Sequence, residues 1–195
     1  MDTTTYYYFV KSLFNPTPEH DFFGLITEVG ELATAFKSSW YKNEPLNTTN
    51  MLEELGDIVF YIVATIQQRF SPDHDQNIGL LEEVLTGPDL EIDLYGTNAN
   101  FPLHLAIKHF EGAPLEMQRQ FYSRIFTSIL PPVLSDKTAI KKLITVIKVL
   151  GQHLCDANIW QIIQFNYDKL SKRYPDGHFD RTHALQRQDK LPGEI

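Results

Sequence analysis

Glu28-Val-Gly-Glu31 and, after 22 further residues, Glu54-Leu-Gly-Asp57 are the two stretches that decide how this chain folds. Each is an acidic pair at i, i+3 set inside an apolar run of helical period. Around the first, Phe22, Leu25, Ile26, Val29, Leu32, Ala33 and Phe36 recur at i, i+3, i+4 and i+7. Around the second, Leu52, Leu55, Ile58, Val59, Ile62, Val63 and Ile66 do the same. The spacing predicts two amphipathic helices separated by the polar loop Tyr41–Thr49, which contains Pro45. Thr17-Pro18 reads as N-cap and first residue of helix one, over roughly 18–39. Asn50 reads as the N-cap of helix two, with Glu53 as its capping-box partner, and that helix should stop near Ser71-Pro72.

A helical wheel separates these acids from ordinary solvent-face charges. With Glu28 at zero and about 100° per residue, Glu31 falls near 300°, while Leu32, Leu25, Phe36 and Val29 spread from about 40° to 100°. With Glu54 at zero, Asp57 falls near 300°, and Ile58, Met51, Ile62 and Leu55 occupy the same 40–100° sector, roughly. Glu53 lies about 100° from Glu54, which leaves it the capping role. Packed antiparallel through their stripes, the two helices bring Glu28, Glu31, Glu54 and Asp57 to one rim. Two ionised carboxylates ~5 Å apart at an effective dielectric of ~20 repel by roughly 3 kcal/mol. A bound divalent cation removes that penalty, and all-oxygen ligands favour Mg²⁺, with Mn²⁺ as a substitute, over Zn²⁺. A single acidic i, i+3 pair would more often be solvated surface; two on matching flanks of adjacent helices favour a site.

The remainder of the chain also reads as helical. Residues 1–16 are aromatic without a clear period and fit a short helix or arm. Residues 73–114 hold a possible helix at Asn77–Leu85, a strand-like alternation at Leu90–Leu94 and a possible helix at Pro102–Phe110, punctuated by Gly87-Pro88, Gly96, Gly112 and Pro114. Helical period returns over 115–130 and, after Pro131-Pro132, over 134–152. A last helix, with Asp156 as N-cap, runs to Tyr174 and is ended by Pro175-Asp176-Gly177. The expected fold is an all-α helical bundle in a single domain over 1–195. Its core is 17–70 and 134–177, its elaboration about 71–133, and its polar tail 178–195.

Composition narrows the function. The 195 residues suffice for a core without staples, and 43% hydrophobic with 22% charged residues is ordinary for a soluble globular protein. No apolar run approaches a membrane span, and the N-terminus lacks the basic and long apolar regions of a signal peptide, so a cytoplasmic location and no membrane partner are expected. The one cysteine, Cys155, cannot form an intrachain disulfide and reads as a small buried thiol. A net charge of −8 argues against non-specific nucleic-acid binding but allows an anionic substrate bridged by a cation. Seven histidines include no Glu-x-x-His pair, which weakens a di-iron carboxylate bundle.

The last helix repeats the acidic layout with reversed charge. With Asn166 at zero, Lys169 sits near 300° and Arg173 near 340°, roughly, beside Ile159, Ile163, Leu170 and Tyr174. The helix dipole accounts for cations in the last turns, but not for Asn166. Amide, ammonium and guanidinium on one face suit a polyphosphate. Tyr61, between Glu54 and Asp57 on the wheel, and Trp40 are candidates for stacking on a base, with packing the better role for Trp40. Lys37 and Lys172 point to solvent.

Three segments together resemble the MazG-like all-α nucleoside triphosphate pyrophosphohydrolases: Gly24-Leu-Ile-Thr-Glu28-Val-Gly-Glu31-Leu, Leu52-Glu-Glu54-Leu-Gly-Asp57-Ile-Val-Phe-Tyr61, and Asn166-Tyr-Asp-Lys169-Leu-Ser-Lys-Arg173-Tyr-Pro-Asp-Gly177. The family pattern is Glu-Glu-x-x-Glu followed by Glu-x-x-Asp, and Thr27 stands here in place of the first Glu. The resemblance covers about 20–70 and 150–178; residues 71–149 match nothing in it. It implies hydrolysis of a nucleoside or deoxynucleoside triphosphate between the α- and β-phosphates, with Mg²⁺ on Glu28, Glu31, Glu54 and Asp57. It also implies pyrophosphate held by Lys169 and Arg173, and a homodimer or homotetramer. Two alternatives stand beside it. One is a non-catalytic helical interaction protein on the same scaffold, suggested by Thr27 and the unmatched middle; the other is a phosphoribosyl-ATP pyrophosphohydrolase with the same acidic core.

Overall fold

A computed structural model describes residues 1–17, 19–42, 44–92, 101–110, 112–129 and 136–180. It is an all-α bundle whose described residues add one pair of two-residue strands. The order is α1 (Thr3–Leu13), α2 (His20–Lys42), α3 (Thr48–Arg69), α4 (His74–Thr86), β1 (Glu91–Ile92), β2 (Phe101–Pro102), α5 (Leu103–Phe110), α6 (Leu115–Ile129), α7 (Lys137–Cys155) and α8 (Ile159–Arg173). The two-residue strands pair antiparallel, Glu91 with Pro102 and Ile92 with Phe101, which places part of the predicted Leu90–Leu94 strand. Asp93 to Asn100, the Pro131-Pro132 break, Pro18 and the tail from Arg181 lie outside the described residues. Among the described residues, no helix is long and apolar enough to cross a membrane.

α3 is the central helix. Met51, Leu55, Ile58, Val59, Ile62, Val63, Ala64 and Ile66 are all buried, so its apolar surface extends beyond one stripe. A helix of that kind must be surrounded, and α1, α2, α4, α7 and α8 all pack on it. α2 runs antiparallel to it: Arg69 at the end of α3 donates through Nε and Nη2 to Asp21 at the start of α2, at 2.5 and 2.9 Å. The middle of the chain joins the same core, since Leu81, Val84, Leu85, Leu103, Ile107, Phe121, Tyr122, Ile125 and Phe126 belong to one apolar cluster with α3 and α7.

Three helix starts differ from the sequence reading. α2 starts at His20 rather than 18, because Glu19 takes a left-handed φ of 63° that a helix cannot include. α3 is capped by Asn47, whose side chain accepts from Asn50 N at 3.0 Å, so Asn50 is inside the helix and Glu53 is not its capping partner. α8 is capped by Asn158 in a box with Gln161. Asp156 instead ends α7 in the left-handed region, at φ 51° and ψ 38°, a conformation Asp tolerates better than most residues. For α3 and α8 a second Asn or Asp lay within three residues of the true cap, and wheel geometry does not rank neighbouring caps.

Candidate functional site

Two glycines set how closely the site's helices approach. A Cβ on Gly24 would lie 2.0 Å from the Tyr61 ring, so the ring lies directly across α2 at that point. A Cβ on Gly56 would lie 2.8 Å from Cβ of Asn166, so α8 meets α3 one residue before Asp57. Gly56 falls inside the second acidic pair, and Gly24 lies one helical turn before the first. Side chains of three helices thereby meet at one place.

Glu28 from α2 and Glu54 and Asp57 from α3 each offer a carboxylate oxygen, all within 4.8 Å of one another. Glu54 is buried and the other two are half-buried. Glu31 does not join this group of three; it is exposed on the next turn, beside Glu54 along a polar depression of about 450 Å³ that also holds Thr34, Ser38 and Asn50. Its charge still acts on the cluster. Burial, then Glu31, Asp57 and Glu28, push the Glu54 carboxyl up to about 9. Burial, then Asp57 and Glu31, push Glu28 up to about 7. Burial also raises Asp57, with the Lys169 ammonium pulling the other way. Without a cation the cluster therefore holds protons at neutral pH, which is how like charges in a poorly solvated space avoid ionising together. The donor set is entirely oxygen and suits a hard divalent ion better than Zn²⁺.

α8 faces this cluster from behind. Asn166 donates from Nδ2 to Asp57 Oδ1 at 2.6 Å, and Lys169 donates to Asp57 Oδ2 and, at 3.3 Å, to Glu53 Oε1. Asn166 is fully buried and Lys169 nearly so. Both are directed at Asp57 and are spent on a carboxylate, where the sequence reading turned them toward a phosphate. Burial works against the Lys169 charge, yet the Asp57 and Glu53 carboxylates together outweigh it and hold the ammonium more basic than usual. Each Asp57 oxygen keeps a second lone pair for another partner. Glu53, assigned to a cap by the wheel, completes the ion pair because α8 packs on that side of α3.

Arg173 and Tyr61, the other two predicted binding residues, line a cavity of about 130 Å³ together with Glu28 and Asp57. Phe14, His20, Phe60, Tyr174 and Phe179 supply most of its remaining walls. The Tyr61 ring meets Phe14 edge-on at 6.4 Å and His20 at 6.0 Å, and burial beside Glu28 and Asp57 pushes its hydroxyl up to about 12. Sequence reasoning missed Phe14 and His20 because the segment joining α1 to α2 carries no period. It missed Tyr6 for the same reason: the Tyr6 hydroxyl donates to Asn166 Oδ1 at 2.8 Å across 160 residues. Trp40 lies away from the cluster, packed on Phe36 and Tyr122.

No protein-family model matches the chain, nor does any curated protein or any solved structure.

Proposed function

We propose that this protein is a Mg²⁺-dependent pyrophosphohydrolase that cleaves a nucleoside or deoxynucleoside triphosphate to the monophosphate and pyrophosphate. The observation that carries the reading is the meeting of Glu28, Glu54 and Asp57 within 4.8 Å beside a cavity walled by aromatic rings and Arg173. Carboxylates packed this closely lower the stability of the cation-free protein, a cost expected where the group is used. Glu28, Glu54 and Asp57 would hold the ion, with Glu31 on the next turn. Bound there, Mg²⁺ supplies charge neutralisation on the reacting phosphate and a more acidic water.

The chain's own groups supply the rest. Asn166 and Lys169 hold the Asp57 carboxylate in one orientation, and Lys169 offsets part of the cluster's negative charge. The rings of Tyr61, Phe14 and Phe60 offer apolar faces for a nucleobase and keep bulk water from the acids, while the Arg173 guanidinium offers donors to a phosphate. Water adds across the bond between the α- and β-phosphates, its proton passes to a carboxylate of the cluster, and pyrophosphate leaves. The reading carries with it a cytoplasmic protein acting as a homodimer or homotetramer.

The test is pyrophosphate release from a panel of canonical and modified triphosphates, in both sugar series and including phosphoribosyl-ATP, with Mg²⁺ and with chelator. Release that needs the ion and is lost in Glu54→Gln is the expected result. No release from any member by the folded wild-type protein would sink the reading.

A further inference from the structure

Asp57 has a support that reaches back to the first helix. Tyr6 and Asn166 are both fully buried, and the chain of bonds runs one way: Tyr6 hydroxyl to Asn166 Oδ1 at 2.8 Å, then Asn166 Nδ2 to Asp57 Oδ1 at 2.6 Å. A side-chain amide presents an acceptor on one end and donors on the other. Rotated by half a turn, Asn166 would set its oxygen against the Asp57 carboxylate, acceptor facing acceptor. The acceptor-only Asp57 carboxylate excludes that rotation, and the Tyr6 hydroxyl, donating to the oxygen at the other end, holds the amide in place from its far side.

Docking of α1 does not depend on that hydroxyl. Tyr7 is bonded to His74 Nδ1 at 2.9 Å and accepts from Asn77 at 3.4 Å. Gln67 Nε2 donates to the Tyr7 carbonyl at 2.7 Å, and the Phe9 ring lies 4.4 Å from Tyr167. Asp2 caps the helix by accepting from Thr5 N at 2.8 Å. Removing the Tyr6 oxygen while keeping its ring leaves all of these in place.

We infer that Tyr6 is a positioning residue for the carboxylate site: its hydroxyl holds the Asn166 amide in place from its far side, with Nδ2 on Asp57, and this sets how tightly Glu28, Glu54 and Asp57 take up a divalent cation. The inference rests on the cation reading of the cluster. Partners that orient metal ligands typically change affinity by roughly 10–100-fold when removed.

The test compares Tyr6→Phe with Tyr7→Phe, a variant that removes an equally tied hydroxyl from the same helix but on the α4 side. Mn²⁺ titration by calorimetry is run on the wild type and on each variant, with thermal melts confirming that each is folded. The expected result is a roughly 10-fold or greater loss of Mn²⁺ affinity in Tyr6→Phe and wild-type affinity in Tyr7→Phe. The side-chain amide resonances of Asn166 should likewise move in Tyr6→Phe and stay in Tyr7→Phe. Equal losses in both variants would make the effect one of α1 docking and overturn the assignment to Tyr6. So would wild-type affinity, or an unmoved Asn166 amide, in Tyr6→Phe. If the wild type itself takes up no Mn²⁺, the cation reading falls and this role falls with it, an outcome distinct from a wild type that binds and a Tyr6→Phe that binds equally.

Discussion

The two halves of α2 bury opposite chemistry. Its C-terminal half sets the Phe36 ring 4.9–5.2 Å from Trp40, Tyr122 and Phe126, in an arrangement that stabilises by area and ring geometry alone. Its N-terminal half sets Gly24 against Tyr61 and Glu28 against Glu54 and Asp57, where burial works against the charges. One half of the helix holds the fold together, and the other is held in place by it. Substitutions in the two halves should therefore change different measurements.

The largest effect belongs to the ring half. Phe36→Ala should cost about 3–5 kcal/mol in chemical denaturation, leaving Mn²⁺ uptake unchanged below its melting temperature. A parallel loss of ion affinity in the folded variant would break the division between the halves. Next comes the acid half: Glu54→Gln should lower pyrophosphate release by about 100-fold or more, while raising the melting temperature of the ion-free protein at pH 9. A variant that is both inactive and less stable at that pH would show that Glu54 supports the fold.

The pH dependence sharpens the same contrast. Glu28 and Glu54 have folded values of about 7 and about 9, above the ordinary carboxylate value of 4.5. Their contribution is therefore fully present below that ordinary value and is lost as pH rises through the folded ones. Melts in chelator should show stability falling steadily from pH 5 to pH 9, and Mg²⁺ should flatten that slope. Phe36→Ala should shift the whole curve without changing its shape.

Asp21 gives the smallest effect, with the opposite sign. Its hydrogen bonds to Arg69 hold its carboxyl below the usual range, so its contribution is present above the unfolded value and lost as pH falls through the folded one. With Arg69 partly exposed, Asp21→Asn should cost about 1 kcal/mol at pH 7 and nothing at strongly acid pH, measured by urea denaturation.

What the sequence made legible follows from range. Helical period and the 100° step are local, so α2, α3, α7 and α8 were readable, as was the side of α2 and α3 on which Glu28, Glu54 and Asp57 lie. Glu31 fell on the same arc of the wheel but one turn further along α2, exposed in the depression beside Glu54 rather than within the group of three, a distinction of height along the helix that a projection discards. Lys169 and Asn166 were visible as one face, but whether that face meets a phosphate or Asp57 depends on how α8 sits on α3. Gly56 decides that approach, and it was read only as a motif letter. Tyr6 carried no local signal, because its role is defined by a partner 160 residues away.

That separation also orders events in time. α2 and α3 are joined by a short loop and can pair as soon as both exist, whereas Asp57 waits 112 residues for Lys169. At a synthesis rate of about 5–20 residues per second, that is roughly 6–22 seconds during which the emerging hairpin has its acids but not their ammonium. Until α8 has emerged Asp57 meets water on that side, and the arrival of α8 supplies the ammonium and the amide that orient its carboxylate.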